Sequence, residues 1–168
     1  MSTAEPANAL TTQMKRQFEV SRRMVDALIS DFTQEEATAR VGDFKPLVWY
    51  LGHMIVTEHA WLELHRGVKS GIPDGHMDRF GRGSDGSADF SDAKLADLVD
   101  VMKSLRKRVR DEISALEPGD LEHEATVEVF EPLKISGNAF ALMCAHNAYH
   151  AGQIQLLRRA MGKPATFG

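Results

Sequence analysis

Four long segments of the chain repeat apolar residues at spacings of three and four, which is the period of an amphipathic α-helix. The predicted helices cover residues 8–32, 45–66, 92–116 and 137–161, and none of the six prolines falls in a helix interior. Ser136 is expected to cap the last helix. Because 168 residues suit one ordinary domain, we predict an all-α fold in which residues 1–168 form a single domain.

A polar, glycine-rich segment joins the second and third helices. Six of the 13 glycines lie between residues 67 and 86, and the connection runs from residue 67 to residue 90. Fully extended, it would reach about 80 Å at ~3.3 Å per residue. We therefore predict a four-helix bundle with a long crossover loop between helices 2 and 3, in which these two helices run parallel. Residues 126–133 alternate apolar and polar side chains, which predicts a short extended arm.

The composition excludes several classes of protein. One cysteine cannot form an internal disulfide or a thiolate zinc site, so a bound metal would rely on the seven histidines and on carboxylates. The net charge of −4, and the acidic residues among the basic residues of helix 3, argue against a nucleic-acid partner. No apolar run is long enough to cross a membrane, and the N-terminus lacks a signal-peptide pattern, so we expect a cytoplasmic protein without a membrane partner.

Two histidines of helix 4, His146 and His150, lie four residues apart and therefore on one helical face. Apolar residues continue this face, so both imidazoles should point toward the core. His53, in the most apolar stretch of helix 2, is our candidate for a third member of the group, and His59 is its rival. Three buried imidazoles need either a metal or hydrogen-bond partners, and the pattern leaves both open while favouring the metal. The other histidines, expected to be solvated, are His65, His76 and His123.

Three short motifs occur together in the chain: HNAYHAGQI in helix 4, WYLGH in helix 2 and FGRGS in the loop between helices 2 and 3. They resemble the H-x-x-x-H-x-G-Q-I, W-x-x-x-H and F-G-x-G-S elements of the DinB-like (YfiT-like) family, and they follow the family's order. The resemblance implies a four-helix bundle with an up-down-down-up course, often a homodimer, that binds a divalent metal through three histidines. Carried over residue by residue, these ligands are His53, His146 and His150.

Three neutral imidazoles would leave a metal with its full charge and with open positions, as in catalytic sites. Zn, Ni, Co, Mn and Fe(II) all suit such ligands. Asn147 stands where H-E-x-x-H metalloproteases carry their glutamate, so the base of that mechanism is missing and the catalytic residues are unknown.

The reaction is predicted from the missing base and from the resemblance together. Some relatives use bacillithiol, mycothiol or glutathione, which implies a small-molecule substrate such as a low-molecular-weight thiol. We therefore predict a thiol-dependent S-transferase or a metal-assisted hydrolase. The alternative is a non-catalytic, stress-related binding module built on the same bundle.

Several residues near the histidines have expected roles of their own. Gln153 could orient a ligand or substrate, whereas the hydroxyl of Thr57 should bond back to its own helix. Cys144 should be a buried side chain rather than a nucleophile. Gly52 and Gly152 would each allow a neighbouring helix or a ligand to approach closely.

Overall fold

The computed structural model describes residues 4–67, 71–117, 119–124 and 134–167. Within these ranges the protein is all-helical, as the apolar period predicts, with no strand and with no helix long and apolar enough to cross a membrane. The extended arm predicted at residues 126–133 lies outside the described residues. The helices are α1 (Ala4–Ile29), α2 (Gln34–Thr38), α3 (Leu47–Arg66), α4 (His76–Phe80), α5 (Leu95–Ser114) and α6 (Ser136–Ala160), with a 3₁₀-helix at Asp120–Glu122.

The four long helices α1, α3, α5 and α6 correspond to the predicted helices 1 to 4. They pack against one another around an apolar core. The contact between α3 and α6 is the most extensive, followed by α1 with α6 and α3 with α5, whereas α1 and α5 meet over a smaller area. The helix α3 is apolar on nearly every side, since it packs against α2, α4, α5 and α6. Core side chains with at most 1% exposure include Phe18, Val25, Leu28, Leu51, Met54, Ile55, Val109, Ile113, Ile154 and Leu157.

The short helix α2, which the sequence did not predict, determines where α5 begins. Gln34 Nε2 donates a hydrogen bond to the carbonyl of Ala93 at 2.8 Å, and Gln34 Oε1 accepts one from the backbone N–H of Leu95 at 2.8 Å. One side chain thus satisfies backbone groups at the N-terminus of α5. The helix therefore begins at Leu95 rather than at the predicted residue 92.

A second unpredicted helix, α4, lies within the long segment 67–90 and packs on α3. The approach is closest at Gly52, where an added Cβ atom would lie 2.3 Å from the ring of Phe80. The ring of His76 lies above the same place, with Nε2 3.3 Å from the carbonyl oxygen of Gly52. The expectation of close approach is confirmed at Gly52. At Gly152 no neighbouring helix among the described residues approaches closely, since an added Cβ would meet nothing within 4 Å.

His65 and Ser136 form a buried contact between α3 and α6. His65 Nδ1 lies 2.7 Å from Ser136 Oγ, and the imidazole stacks on Trp61 with centroids 5.2 Å apart. Two expectations are wrong here. Ser136 does not cap α6, whose N-cap is Ile135 and has no side-chain cap bond. His65 is not solvated, because the start of α6 covers it.

A buried ion pair joins α1 to α3 in the core. Arg22 Nη1 lies 3.3 Å from Glu58 Oε1, and both side chains are at most 2% exposed. Asn147 Nδ2, from α6, donates to the same carboxylate oxygen at 3.1 Å. Burial raises the pKa of Glu58, and the neighbouring Arg22 charge opposes that rise. Glu58 therefore belongs to a polar network of the core.

Candidate metal centre

Three imidazoles converge where α3 faces α6. His146 Nε2 lies 3.2 Å from His53 Nε2 and 3.0 Å from His150 Nε2. One ligand atom from each of the three side chains falls within 4.8 Å of the others. The structure thus brings together the three histidines singled out in the sequence. His146 and His150 come from adjacent turns of α6, and His53 comes from α3, the helix with which α6 makes its most extensive contact.

The far side of two of these rings is held by hydrogen bonds. His53 Nδ1 donates to the carbonyl of Phe80 at 2.6 Å, and His150 Nδ1 donates to Gln153 Oε1 at 2.6 Å. Gln153 Nε2 in turn donates to the hydroxyl of Tyr149 at 3.0 Å. A neutral imidazole that donates through Nδ1 presents a lone pair at Nε2. Both Nε2 lone pairs therefore face the common centre, in the arrangement typical of metal-binding histidines.

The third ring, His146, lacks this support. Its Nδ1 is buried and has no hydrogen-bond partner, while its Nε2 lies between the other two rings. A neutral imidazole carries one proton, so His146 Nε2 can donate to one of the two neighbouring lone pairs but not to both, whereas a cation would engage all three nitrogens. Two imidazole nitrogens on a tetrahedral metal, each at ~2.0–2.1 Å, would be about 3.3 Å apart. The observed separations of 3.0 and 3.2 Å are close to this value, so these residues fit a divalent metal.

Burial keeps the three imidazoles neutral. It lowers the pKa of His146 to about 3, with the charges of His150 and His53 adding to the effect. Burial likewise lowers the pKa of His150 to about 4, and it lowers the pKa of His53. Since a histidine must be neutral to bind a metal, protons compete weakly for this site near neutral pH.

The loop motif FGRGS holds the centre from the outside. Phe80, its first residue, supplies the carbonyl that orients His53, and Ser84, its last, accepts a hydrogen bond from Trp49 Nε1 at 3.0 Å. The indole of Trp49 stacks on His53 with ring centroids 4.6 Å apart. Lys45 Nζ lies 3.5 Å from the centroid of the same indole. The FGRGS motif is visible in the sequence, but the roles of Phe80, Trp49 and Lys45 depend on how the loop packs against α3, which the sequence does not reveal.

The remaining histidines lie outside the cluster. His59, the rival of His53, is buried, with Nε2 3.3 Å from Glu63 Oε2. With His76 it lines a separate cavity of about 310 Å³. The prediction that His76 is solvated is wrong, because α4 buries it against α3. The prediction for His123 is confirmed, since its side chain is 55% exposed.

Two further expectations are confirmed near the site. Thr57 donates its hydroxyl to the carbonyl of His53 at 3.2 Å, which is the bond back to its own helix. Cys144 is buried, and burial raises the pKa of its thiol to about 12. A thiol with such a pKa is not a nucleophile near neutral pH.

A cavity of about 620 Å³ lies apart from the histidines, between α1 and α5. Its wall is mostly apolar, from residues such as Phe32 and Met102, with Arg22 and Arg106 among the charged residues. It contains no histidine or cysteine, and its acids Asp26 and Asp100 pair with Arg106 and with a lysine. We take the three histidines as the candidate site because, among the described residues, they alone form a group of converging metal-ligand atoms.

Fold and site together define an all-helical protein with a three-histidine candidate metal centre. A family model described as the DinB superfamily matches residues 17–154, which is most of the chain. The chain therefore belongs to the DinB superfamily, and the resemblance found in its three motifs is confirmed. A search of curated proteins finds no match to the chain.

Proposed function

We propose that the protein binds a divalent transition metal through His53, His146 and His150 and acts with it on a small molecule. The observation that carries the proposal is the convergence of three Nε2 atoms, two of them with their Nδ1–H groups already engaged. Zn, Ni, Co, Mn and Fe all suit this ligand set. Three protein ligands leave coordination positions for a substrate, as in catalytic sites.

The reaction we favour is thiol-dependent S-transfer. A bound metal of this kind acidifies a coordinated thiol or water. No carboxylate among the described residues joins the imidazole cluster, and Glu58 is held by Arg22 and Asn147 in the core. A reaction without a protein base suits a substrate that brings its own nucleophile. The thiol would release its proton to solvent, its sulfur would bond to an electrophilic carbon, and the leaving group would depart with the electron pair of the broken bond. Metal-assisted hydrolysis is the second candidate, and a non-catalytic, stress-related binding module is the alternative.

We also propose the architecture that the family implies: a single-domain, up-down-down-up four-helix bundle, with the segment 67–90 as the crossover between α3 and α5. The pairwise contacts of the four long helices support it. A cytoplasmic homodimer is proposed with it. We expect no nucleic-acid partner, since basic residues of α5 already pair with acids, as Lys103 does with Asp100 and Lys107 with Asp111.

Elemental analysis of protein purified in metal-replete medium tests the metal centre. We expect about one divalent metal per chain, and none after His146→Ala. His53→Ala should also abolish binding, whereas His59→Ala, a change at another buried α3 histidine, should retain it. If metal content survives His53→Ala but not His59→Ala, the third ligand is wrong.

A thiol panel tests the reaction. Glutathione, bacillithiol and mycothiol would each be offered with an electrophilic acceptor to the metal-loaded protein and to His146→Ala. We expect the metal-loaded wild-type protein to form a thioether with one of the three thiols. We expect His146→Ala to form none. A metal with a closed coordination shell, or equal rates with the variant, would contradict the enzyme hypothesis and favour the binding module.

A further inference from the structure

Lys45 lies immediately before α3 and is half-buried beside the metal centre. Its Nζ lies 3.5 Å from the indole centroid of Trp49, and that indole stacks on His53 at 4.6 Å. The distance from the ammonium to the centre of the His53 ring is therefore at most the sum of these two distances. One aromatic ring connects a cation to a candidate metal ligand.

No described carboxylate forms an ion pair with this ammonium. Its polar contact is the carbonyl of Ser84 at 3.5 Å, which is long for a hydrogen bond. Asp85 is the acid whose charge acts on it, but Asp85 Oδ1 accepts the backbone N–H of Ser87 at 2.7 Å instead. Burial lowers the pKa of Lys45, and Asp85 opposes that change only in part. The ammonium has thus lost water without gaining a matched counter-ion.

The ammonium of Lys45 and the imidazole of His53 both contact the indole of Trp49, so the positive charge of Lys45 lies near the three histidines. The three imidazoles are neutral and no carboxylate among the described residues joins them, so a divalent metal there would keep its full charge beside a second cation. Such a site favours a ligand that supplies negative charge, because uncompensated charge out of water is costly.

We propose that the metal centre binds a small carboxylate-bearing ligand, whose carboxylate pairs with Lys45 while another donor atom occupies a coordination position that the three histidines leave. This inference rests on the proposed metal binding and adds to it the chemical class of the substrate. Lys45 is then the residue that selects anionic over neutral ligands, and Trp49 is the surface that holds its ammonium in place.

The test compares two thiols on cobalt-loaded protein: mercaptosuccinate, which is anionic, and 1-thioglycerol, which is neutral. Affinities come from the change in the cobalt absorption spectrum, with metal content measured after each titration. Lys45→Gln should weaken mercaptosuccinate about tenfold and change 1-thioglycerol less than about twofold. Lys45→Arg should keep most of the preference because it keeps the charge. Lys103→Gln removes an exposed lysine of α5 and should change neither affinity.

The outcomes separate this inference from the proposed function. If wild-type protein holds no cobalt, both fail. If it holds cobalt but binds the two thiols alike, only the inference about carboxylates fails. If Lys45→Gln weakens both thiols equally with normal cobalt content, Lys45 supports Trp49 and does not select the ligand. Higher salt should weaken mercaptosuccinate more than 1-thioglycerol in wild type, and this difference should shrink in Lys45→Gln.

Discussion

Two of the three imidazoles of the candidate metal centre use their two nitrogens for separate tasks. In His53 and His150 the Nδ1–H groups donate to Phe80 and Gln153, which leaves Nε2 free to bind a metal. The acceptor on Nδ1 also raises the basicity of the opposite nitrogen. The two acceptors differ in kind. A substitution at Phe80 keeps its backbone carbonyl, whereas a substitution at Gln153 can remove the side-chain amide.

Removing the amide of Gln153 should weaken metal binding. Gln153→Ala leaves His150 Nδ1 without its acceptor, and loss of such a partner typically costs about 10–100-fold in metal affinity. Competition against a chromophoric chelator would measure the change. Gln153→Glu is the matched control, because a carboxylate at the same reach still accepts the Nδ1–H. Equal affinities for Gln153→Ala and wild type would show that Gln153 does not support the ligand.

The metal-free protein should lose stability as the pH falls from 7 to 5. Burial holds the pKa of His146 at about 3 and that of His150 at about 4, whereas histidines in the unfolded chain titrate near 6.5. Below pH ~6.5 the unfolded state therefore binds protons that the folded state does not, and the free energy of unfolding falls. The loss should level off only when the pH approaches the folded-state values.

Thermal melts in a chelator across this range would test the effect. The double variant His146→Gln/His150→Gln should show a weaker pH dependence, since glutamine does not titrate. Because His53, His59 and His76 also have a pKa lowered by burial and stay in both proteins, the difference between the proteins isolates His146 and His150. Identical pH dependence in the two proteins would contradict the assignment of neutral, buried imidazoles.

How much of the site can be predicted from sequence depends on the residue. The four-residue spacing places His146 and His150 on one face whatever the rest of the fold does. Choosing His53 over His59 requires knowing which face of α3 packs against α6. The apolar residues around His53 in the sequence indicate that face only indirectly. The prediction that His65 and His76 are solvated is wrong because their positions at a helix end and in a loop do not reveal that α6 and α4 pack against them.

At the scale of elements, α4 shows where local sequence signals are too weak. A five-residue helix adds few hydrogen bonds and is marginal by itself, so packing must stabilise it. The packing is provided by Gly52, which admits the Phe80 ring. The helix then places the Phe80 carbonyl on His53. A glycine in the middle of an apolar helix thus couples α4 to the candidate metal centre.

Two glycine variants test this coupling with a matched pair. Gly52→Ala places a Cβ 2.3 Å from the Phe80 ring, so α4 must shift and its carbonyl should leave His53. We expect a stability loss of about 1–3 kcal/mol from overpacking and weaker metal binding. Gly152→Ala adds the same methyl group to an exposed part of α6, where it should stabilise the helix by about 0.5–1 kcal/mol.

Thermal melts and metal affinity of both glycine variants provide the measurement. The helix preference for alanine acts in both variants, so the difference between them reports the contact with Phe80. Normal metal affinity in a folded Gly52→Ala protein would show that the carbonyl of Phe80 is not needed by His53.

The buried pair of Arg22 and Glu58 joins three elements, since Asn147 of α6 donates to the same carboxylate. Arg22→Met should destabilise the protein by about 3–5 kcal/mol, because it leaves Glu58 as an uncompensated buried charge. Adding Glu58→Leu removes that charge and should recover much of the loss. Urea unfolding of wild type, Arg22→Met, Glu58→Leu and the double variant measures the coupling. A double variant no more stable than Arg22→Met would contradict the ion pair's role.

At the scale of the whole molecule, the all-helical class follows from the sequence because long apolar repeats without interior prolines leave the chain little alternative. The order in which the helices touch does not follow, since each amphipathic face can be buried by any partner of matching length. Gln34 illustrates the difficulty, because a side chain in α2 determines the start of α5 sixty-one residues later in the chain. Such tertiary caps have no local signature.

Metal binding should stabilise the molecule as a whole, because the three ligands come from α3 and α6, the pair with the most extensive contact. A ligand that binds only the folded state at 100 times its Kd adds about 2.7 kcal/mol. For a domain of this size that corresponds to a rise of about 5–10 °C in Tm. Zinc or cobalt should therefore raise the Tm of wild type, and chelation should reverse the rise.

The same titration on His146→Ala gives the control. This variant removes the ring with the unpartnered Nδ1 and leaves the other two imidazoles with their hydrogen bonds. Its Tm should not respond to metal, although the metal-free variant should fold because His146 contributes no hydrogen bond to the apolar core. An equal rise in both proteins would place the stabilising metal elsewhere on the chain, since two imidazoles alone bind far more weakly than three.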